Sequence, residues 1–148
     1  EKVFAELADK NNPKPAQGVF FEGQIFDAYR FINDLLRQTK QSIVLIDNYV
    51  DDRVLEQLDK RAEGVTATIL CKKVSRSLQS DLDRHNAQYP PVKVIEFGLS
   101  HDRFLILDAS SVYHLGASLK DLGHKWFAFS RLDESALKVM DRVRELLK

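Results

Sequence analysis

His101 and Arg103 are the pair whose residue types and spacing carry the most chemistry. They lie in Ser100-His101-Asp102-Arg103-Phe104-Leu105-Ile106-Leu107-Asp108, a polar start running into an apolar stretch. That stretch reads as a buried strand over 103–107 with the pair at its mouth. Residues two apart on a strand point to the same side, with Cα atoms about 6.7 Å apart. An imidazole, able to act as nucleophile or base, would stand beside a permanently charged guanidinium, and both could grip one phosphate. Asp108 lies about 23 Å from His101 along an extended chain, too far to share that phosphate. Its expected role is structural, holding the turn Asp108-Ala109-Ser110-Ser111. The plainer alternative for His101 and Arg103 is a pair that merely caps a strand mouth.

The turn predicts which residues face each other. If Ala109-Ser110 is a two-residue hairpin loop, Asp108 faces Ser111, Arg103 faces Gly116 and His101 faces Ser118. His101, Arg103 and Ser118 then share one patch, the expected catalytic set. Arg103, Gly116, Ser118 and Lys120 form the expected phosphate-binding set. Gly116 would leave a gap for a phosphate oxygen, and Lys120 would extend the row if the strand continues. A three-residue loop would break this parity.

The remaining candidates have two readings each. On the same parity His114 faces Leu105 on the side of His101, either as a partner behind the site or as a core histidine. His124, beside Lys125 and Trp126, either lines the site from the next loop or is simply exposed. His85 falls at a polar helix end and is expected to face solvent. Lys72, Lys73 and Arg76 either track a nucleic-acid backbone or form a solvated strand end. Cys71 precedes two lysines, which could lower its pKa, but a buried strand-end thiol is the expectation. Asp47 and Asp51-Asp52 stand at a strand mouth, where helix capping by Asp51 is favoured over cation binding.

The elements that would position these residues follow from hydrophobic period. Apolar residues recur at helical spacing over 24–40, and Ser42–Asp47 (SIVLID) reads as a buried strand. A helix over 51–62 ends at Gly64, and a strand over 65–71 follows. A mostly polar helix over 75–89 stops before Pro90-Pro91. Strands are predicted over 92–97, 103–107, 111–116 and 125–131. Asp133 or Glu134 opens a last helix with Leu137, Met140, Val143, Leu146 and Leu147 on one face. The expected fold class is α/β, a mixed sheet with helices on both faces in a single domain. Residues 1–17 are expected to be a linker and the end of an upstream helix (Val3, Phe4, Leu7), with the domain running over 18–148. The start at Glu1-Lys2 suggests a piece of a longer protein.

Composition limits the function. The chain has 148 residues, with 22 Lys plus Arg against 22 Asp plus Glu. Zero net charge gives no global pull on polyanions, so a local basic patch must hold any nucleic acid. The single cysteine allows no internal disulfide, which fits a reducing compartment, and the expected location is cytoplasmic. No run approaches the ~20 apolar residues of a membrane span. The turn Asp47-Asn48-Tyr49-Val50-Asp51-Asp52 has no glycine, so it cannot cradle a dinucleotide phosphate. There is no Walker loop, H-E-x-x-H or paired cysteine motif, and neither a metal nor a cofactor is expected.

His101, Arg103 and Asp108 match the H-x-K-x-x-x-x-D signature of the phospholipase D-like (HKD) superfamily, with Arg in place of Lys. Gly116-Ala117-Ser118-Leu119-Lys120 occupies the place of that family's glycine-serine segment, with Lys120 where the family usually has Asn. The segments Lys40–Tyr49 and Gly64–Leu70 also look like the strands that open such domains. The resemblance covers roughly 18–132. The text over 101–129 most resembles C-terminal domains of bacterial proteins that carry an N-terminal, phage-type (KilA-N-like) DNA-binding domain. The resemblance implies metal-free phosphodiester transfer, with His101 attacking phosphorus and a second histidine protonating the leaving oxygen. The family uses two motifs per site and this chain has one, so a homodimer is implied. Nucleic acid is the expected substrate. The alternative is a non-catalytic phosphate- or DNA-binding or dimerisation module. Phospholipid cleavage is weaker, for want of a membrane-facing helix.

Overall fold

The protein is described by a computed structural model over residues 16–133 and 135–148. The expected upstream helix, and Glu134 as a helix opener, lie outside the described residues. Helix α1 (Ile25–Gln38) buries Ala28, Phe31, Ile32, Leu35 and Leu36, the i, i+3, i+4, i+7, i+8 stripe of an amphipathic helix. Strand β2 (Ser42–Ile46) follows, with its last four residues buried, as befits a central strand covered on both faces. Helix α2 (Asp52–Leu58) starts where the Asp51 carboxylate accepts the Arg53 N–H, so Asp51 is the cap that its position suggested. Strand β3 (Thr66–Cys71) leads to helix α3 (Arg76–Gln88), capped by Ser75 Oγ on the Leu78 N–H. Strands β4 (Val92–Glu96), β5 (Arg103–Leu107), β6 (Ser111–Leu115) and β7 (Phe127–Leu132) precede the final helix α4 (Ala136–Leu146).

Together with β1 (Gln17–Phe20) these strands form a seven-stranded sheet, in the order β1-β7-β6-β5-β2-β3-β4. β2, β3 and β4 run parallel, whereas β5, β6, β7 and β1 pair antiparallel to their neighbours. β2 lies at the change of sense, with a parallel partner on one side and an antiparallel one on the other. One face of the sheet packs Ile43, Leu45, Ile69, Leu105 and Leu115 into the core shared with α1, α2 and α3. The other packs Val44, Ile46, Ile106 and Val112 under Ala136, Met140 and Val143 of α4. The fold is the α/β, mixed-sheet, single-domain architecture expected, with helices on both faces. Of the expected apolar stripe of the last helix only Met140 and Val143 are buried; Leu137, Leu146 and Leu147 stay exposed.

Two local readings are corrected. β1 had no predicted counterpart. It is an edge strand in register with β7 (Phe20 opposite Phe127), and the buried Phe20 ring stacks on Phe127 at 5.1 Å. The β5–β6 hairpin has a three-residue loop, Asp108-Ala109-Ser110, because Leu107 rather than Asp108 faces Ser111. Asp108 and Ala109 both adopt left-handed backbone, at φ 56° and 49°. Every facing pair therefore slips by one: Arg103 faces Leu115, and Phe104 faces His114.

Candidate functional site

The sheet topology brings all the chemistry-bearing loops to one rim. The starts of β5 and β7 meet there with the ends of β2, β3, β4 and β6. Arg103 opens β5 and is half-buried. Its Nη2 donates to the Gly116 carbonyl at 3.0 Å, while its Nε is buried without a partner. The guanidinium is thus pinned along one edge to the loop after β6. His101 lies in the bend before β5, is exposed, and forms no hydrogen bond or ion pair among the described residues. The chain beside it is braced: Asn48 Nδ2 donates to the Ser100 carbonyl at 3.0 Å, Asn48 Oδ1 accepts the Lys72 N–H at 3.0 Å, and Ser100 Oγ donates to the Asp102 carbonyl at 2.7 Å. An unencumbered imidazole on a held loop, two residues from a pinned cation, is suited to meeting an external anion.

Ser118 does not face His101 across a ladder, because β6 ends at Leu115. It is buried, and its hydroxyl donates to Asp47 Oδ2 at 2.9 Å. Asp47 directly follows β2; since Ile46 faces Phe104, it stands level with Arg103 on the neighbouring strand. The Asp47 carboxylate is 1% exposed and also accepts the Leu119 N–H (3.0 Å) and the Tyr49 N–H (3.0 Å). These bonds satisfy a buried carboxylate that forms no salt bridge among the described residues, and they fix the short 3-10 turn Leu119–Asp121 beside Arg103. Lys120 projects from that turn rather than from a continued strand. Its Nζ lies 3.7 Å from Asp121, and it lines a cavity of about 270 Å³ with Arg53, Gln57, Tyr29 and His124. Asn48 is a positioning residue that sequence reasoning missed, and Asp47, weighed there only for cation binding, instead positions the loop after β6; their place directly after a buried strand was the available signal.

Gly116 does not leave a hole for phosphate. A Cβ there would press on the Ala128 backbone (3.0 Å to its carbonyl oxygen), so glycine permits the close approach of β6 to β7. Gly123 has φ +78°, and an added Cβ would overlap Ile25; its carbonyl accepts the Gly23 N–H at 3.0 Å. This ties the loop that carries Lys120 and His124 to the start of α1. At the far end of the sheet, the Asp108 carboxylate accepts the N–H groups of Lys40, Gln41 (2.6 Å) and Ser42. It clasps the α1–β2 junction rather than its own turn. Burial pushes the Asp108 carboxyl up, but those three N–H groups and the Lys40 charge outweigh it and hold the carboxyl below the usual range.

The other histidines separate cleanly. His114 points to the α4 face, opposite Arg103, where it meets the Phe104 ring and Asp102 Oδ2 (3.4 Å). The hairpin slip moves it off the expected side. His85 is not solvent-facing: its side chain is 8% exposed and its Nε2 meets the Asp59 carboxylate at 2.8 Å. His124 is exposed at the cavity mouth, and Lys72, Lys73 and Arg76 form an exposed strand end. Cys71 is buried; desolvation, Glu96 and Asp47 push its thiol up despite the nearby lysines. Among the described residues no group of three or more His, Cys, Asp or Glu is placed to hold a metal ion, and no helix is long and apolar enough to cross a membrane.

Neither a protein-family model nor a curated protein matches the sequence. Solved structures do match. NucT from Helicobacter pylori has a TM-score of 0.61 at 13% identity, covering 88% of this chain and 91% of that one. The phosphatidylserine synthase of Haemophilus influenzae Rd KW20 has a TM-score of 0.58 at 13% identity, over 88% of this chain and 36% of that one. The fold is phospholipase D-like. That is the architecture the resemblance implied. TrmBL2, an archaeal chromatin protein with a novel mode of DNA binding, has a TM-score of 0.53 at 17% identity, over 97% of this chain and 55% of that one. The chain thus spans about half of TrmBL2 and about a third of the synthase.

Proposed function

We propose that this domain is a phosphodiesterase acting on nucleic acid, with His101 as nucleophile and a second copy of the chain completing the site. The observation that carries the reading is an exposed His101, without a hydrogen bond or ion pair among the described residues, two residues from a pinned Arg103 on the rim of a phospholipase D-like sheet. An imidazole nitrogen of His101 attacks phosphorus; the P–N bond forms as the P–O bond to the leaving group breaks. His101 of the partner subunit gives its proton to the leaving oxygen, then takes one from the water that releases the phosphoryl group. Arg103 and Lys120 offset the charge that builds on the non-bridging oxygens. Ser118 contributes indirectly: its hydroxyl hydrogen is committed to Asp47, so it places the turn that bears Lys120. Local cations (Lys72, Lys73, Lys120, Lys125) rather than net charge would hold a polyanionic strand in a chain that is neutral overall.

A second reading is a non-catalytic DNA-binding or dimerisation module. It is favoured by Arg103 and Lys120 standing where the family motif has Lys and Asn, and by the likeness to TrmBL2 along nearly the whole chain. Quenching a reaction on phosphate-labelled DNA with denaturant separates the two. The catalytic reading expects protein-bound label that survives alkali, is lost in acid, and maps to His101. A domain that binds the same DNA and never acquires label is the module instead.

A further inference from the structure

The rim that carries His101 also carries an exposed aromatic pair. Trp126 is 65% exposed and Phe21 is 44% exposed, and their rings meet edge to face with centroids 4.7 Å apart. The indole Nε1 donates to Glu22 Oε1 at 2.8 Å, which fixes the ring while leaving its surface open. Phe26, five residues beyond Phe21, is also exposed, with the Arg30 guanidinium 5.8 Å from its ring centroid. Register locates the pair. β1 ends at Phe20 opposite Phe127, the first residue of β7, so Phe21 directly after β1 and Trp126 directly before β7 stand together at the rim where β7 begins. His124 and Lys125 are exposed immediately before Trp126, and Lys120 projects from the same loop.

We propose that Trp126 and Phe21 form a stacking platform for an unpaired base of a single-stranded nucleic acid whose reacting phosphate lies at His101. The inference rests on the phosphodiesterase reading and adds the strand class. Fixed aromatic faces beside cations hold single strands without reading sequence, because every base presents a π-face. A base inside a duplex is already stacked and offers no such face. Self-association through the same patch is disfavoured by charge, since Glu22, Arg30 and Lys125 lie among the aromatics, whereas interface cores are depleted of charged residues.

Trp126 is the only tryptophan, so intrinsic fluorescence reports on the platform directly. In the His101→Ala protein, a short oligothymidylate is expected to quench Trp126, and an abasic oligomer of equal length to leave it unquenched. Trp126→Ala is expected to weaken binding of labelled oligothymidylate by roughly 5- to 150-fold, the range of one base–aromatic stack, while Trp126→Phe keeps most of the affinity. Equal quenching by both oligomers, or unchanged affinity in Trp126→Ala, overturns the platform. So does self-association that Trp126→Ala abolishes, with no quenching by nucleic acid. Cleavage by the wild type is scored separately: quenching without cleavage keeps the platform and removes the catalytic reading, and cleavage without quenching does the reverse.

Discussion

Ser118 donates its hydroxyl to Asp47 Oδ2 at 2.9 Å, joining the loop after β6 to the end of β2 across 71 residues of sequence. Asp47 is almost completely buried, so this bond helps satisfy a carboxylate that water cannot reach. Ser118→Ala leaves that carboxylate with only its N–H partners at Leu119 and Tyr49. The expected loss is about 1–3 kcal/mol of unfolding free energy, measured by urea denaturation. A variant as stable as the wild type would mean that the bond does not organise the rim.

Arg103 separates clamp from scaffold. Arginine stays protonated in proteins, so Arg103 acts neither as acid nor as base. Arg103→Ala is expected to lower the cleavage rate by roughly 10²–10³, as for loss of one transition-state donor. Arg103→Lys keeps the charge and restores the family residue, and it also removes the buried, unpaired Nε; it should retain more activity than Ala. Rates measured side by side for the three proteins check this. Wild-type cleavage in Arg103→Ala would make the residue a scaffold only.

Asp108 predicts a pH dependence with a definite sign. Its carboxyl is held below the usual range in the folded state, since the N–H groups of Lys40, Gln41 and Ser42 outweigh the effect of burial. A depressed carboxyl contributes stability above its unfolded value, near 3.9, and loses it as pH falls through the folded value. Asp108→Asn tolerates the same left-handed backbone but lacks the charge. The variant is expected to be less stable than the wild type at neutral pH, with the gap narrowing in acid. Melting temperatures of both proteins between neutral and strongly acidic pH measure the gap, and a gap that stays constant contradicts the assignment.

These residues also show what the sequence makes legible. β5 was readable at both ends, because a polar pair runs straight into Phe104–Leu107, and the α1 stripe was equally plain. The hairpin loop was not, since Asp108 and Ala109 take left-handed backbone without a glycine to announce it. Asp108 is held there by N–H groups 66 to 68 residues away, a non-local cause that no window along the chain contains. One residue of slip then moved His114 to the opposite face and Arg103 from Gly116 to Leu115. Arg103 still meets Gly116, but through its side chain on the carbonyl rather than across the ladder. The Asp47–Ser118 link escaped for the same non-local reason, as did the burial of His85 against Asp59.

The single motif predicts a dimer. Light scattering on the purified domain should give twice 17.0 kDa, with the two His101 residues meeting across the twofold axis. A strict monomer throughout the micromolar range removes the partner histidine from the mechanism.

The most direct test of the central claim is cleavage of labelled nucleic acid by the wild type and by His101→Ala, with EDTA present throughout. Strand scission by the wild type in EDTA that disappears in an equally folded His101→Ala protein is the predicted result. Cleavage that persists in His101→Ala, or that appears only when a divalent cation is restored, would contradict a histidine nucleophile.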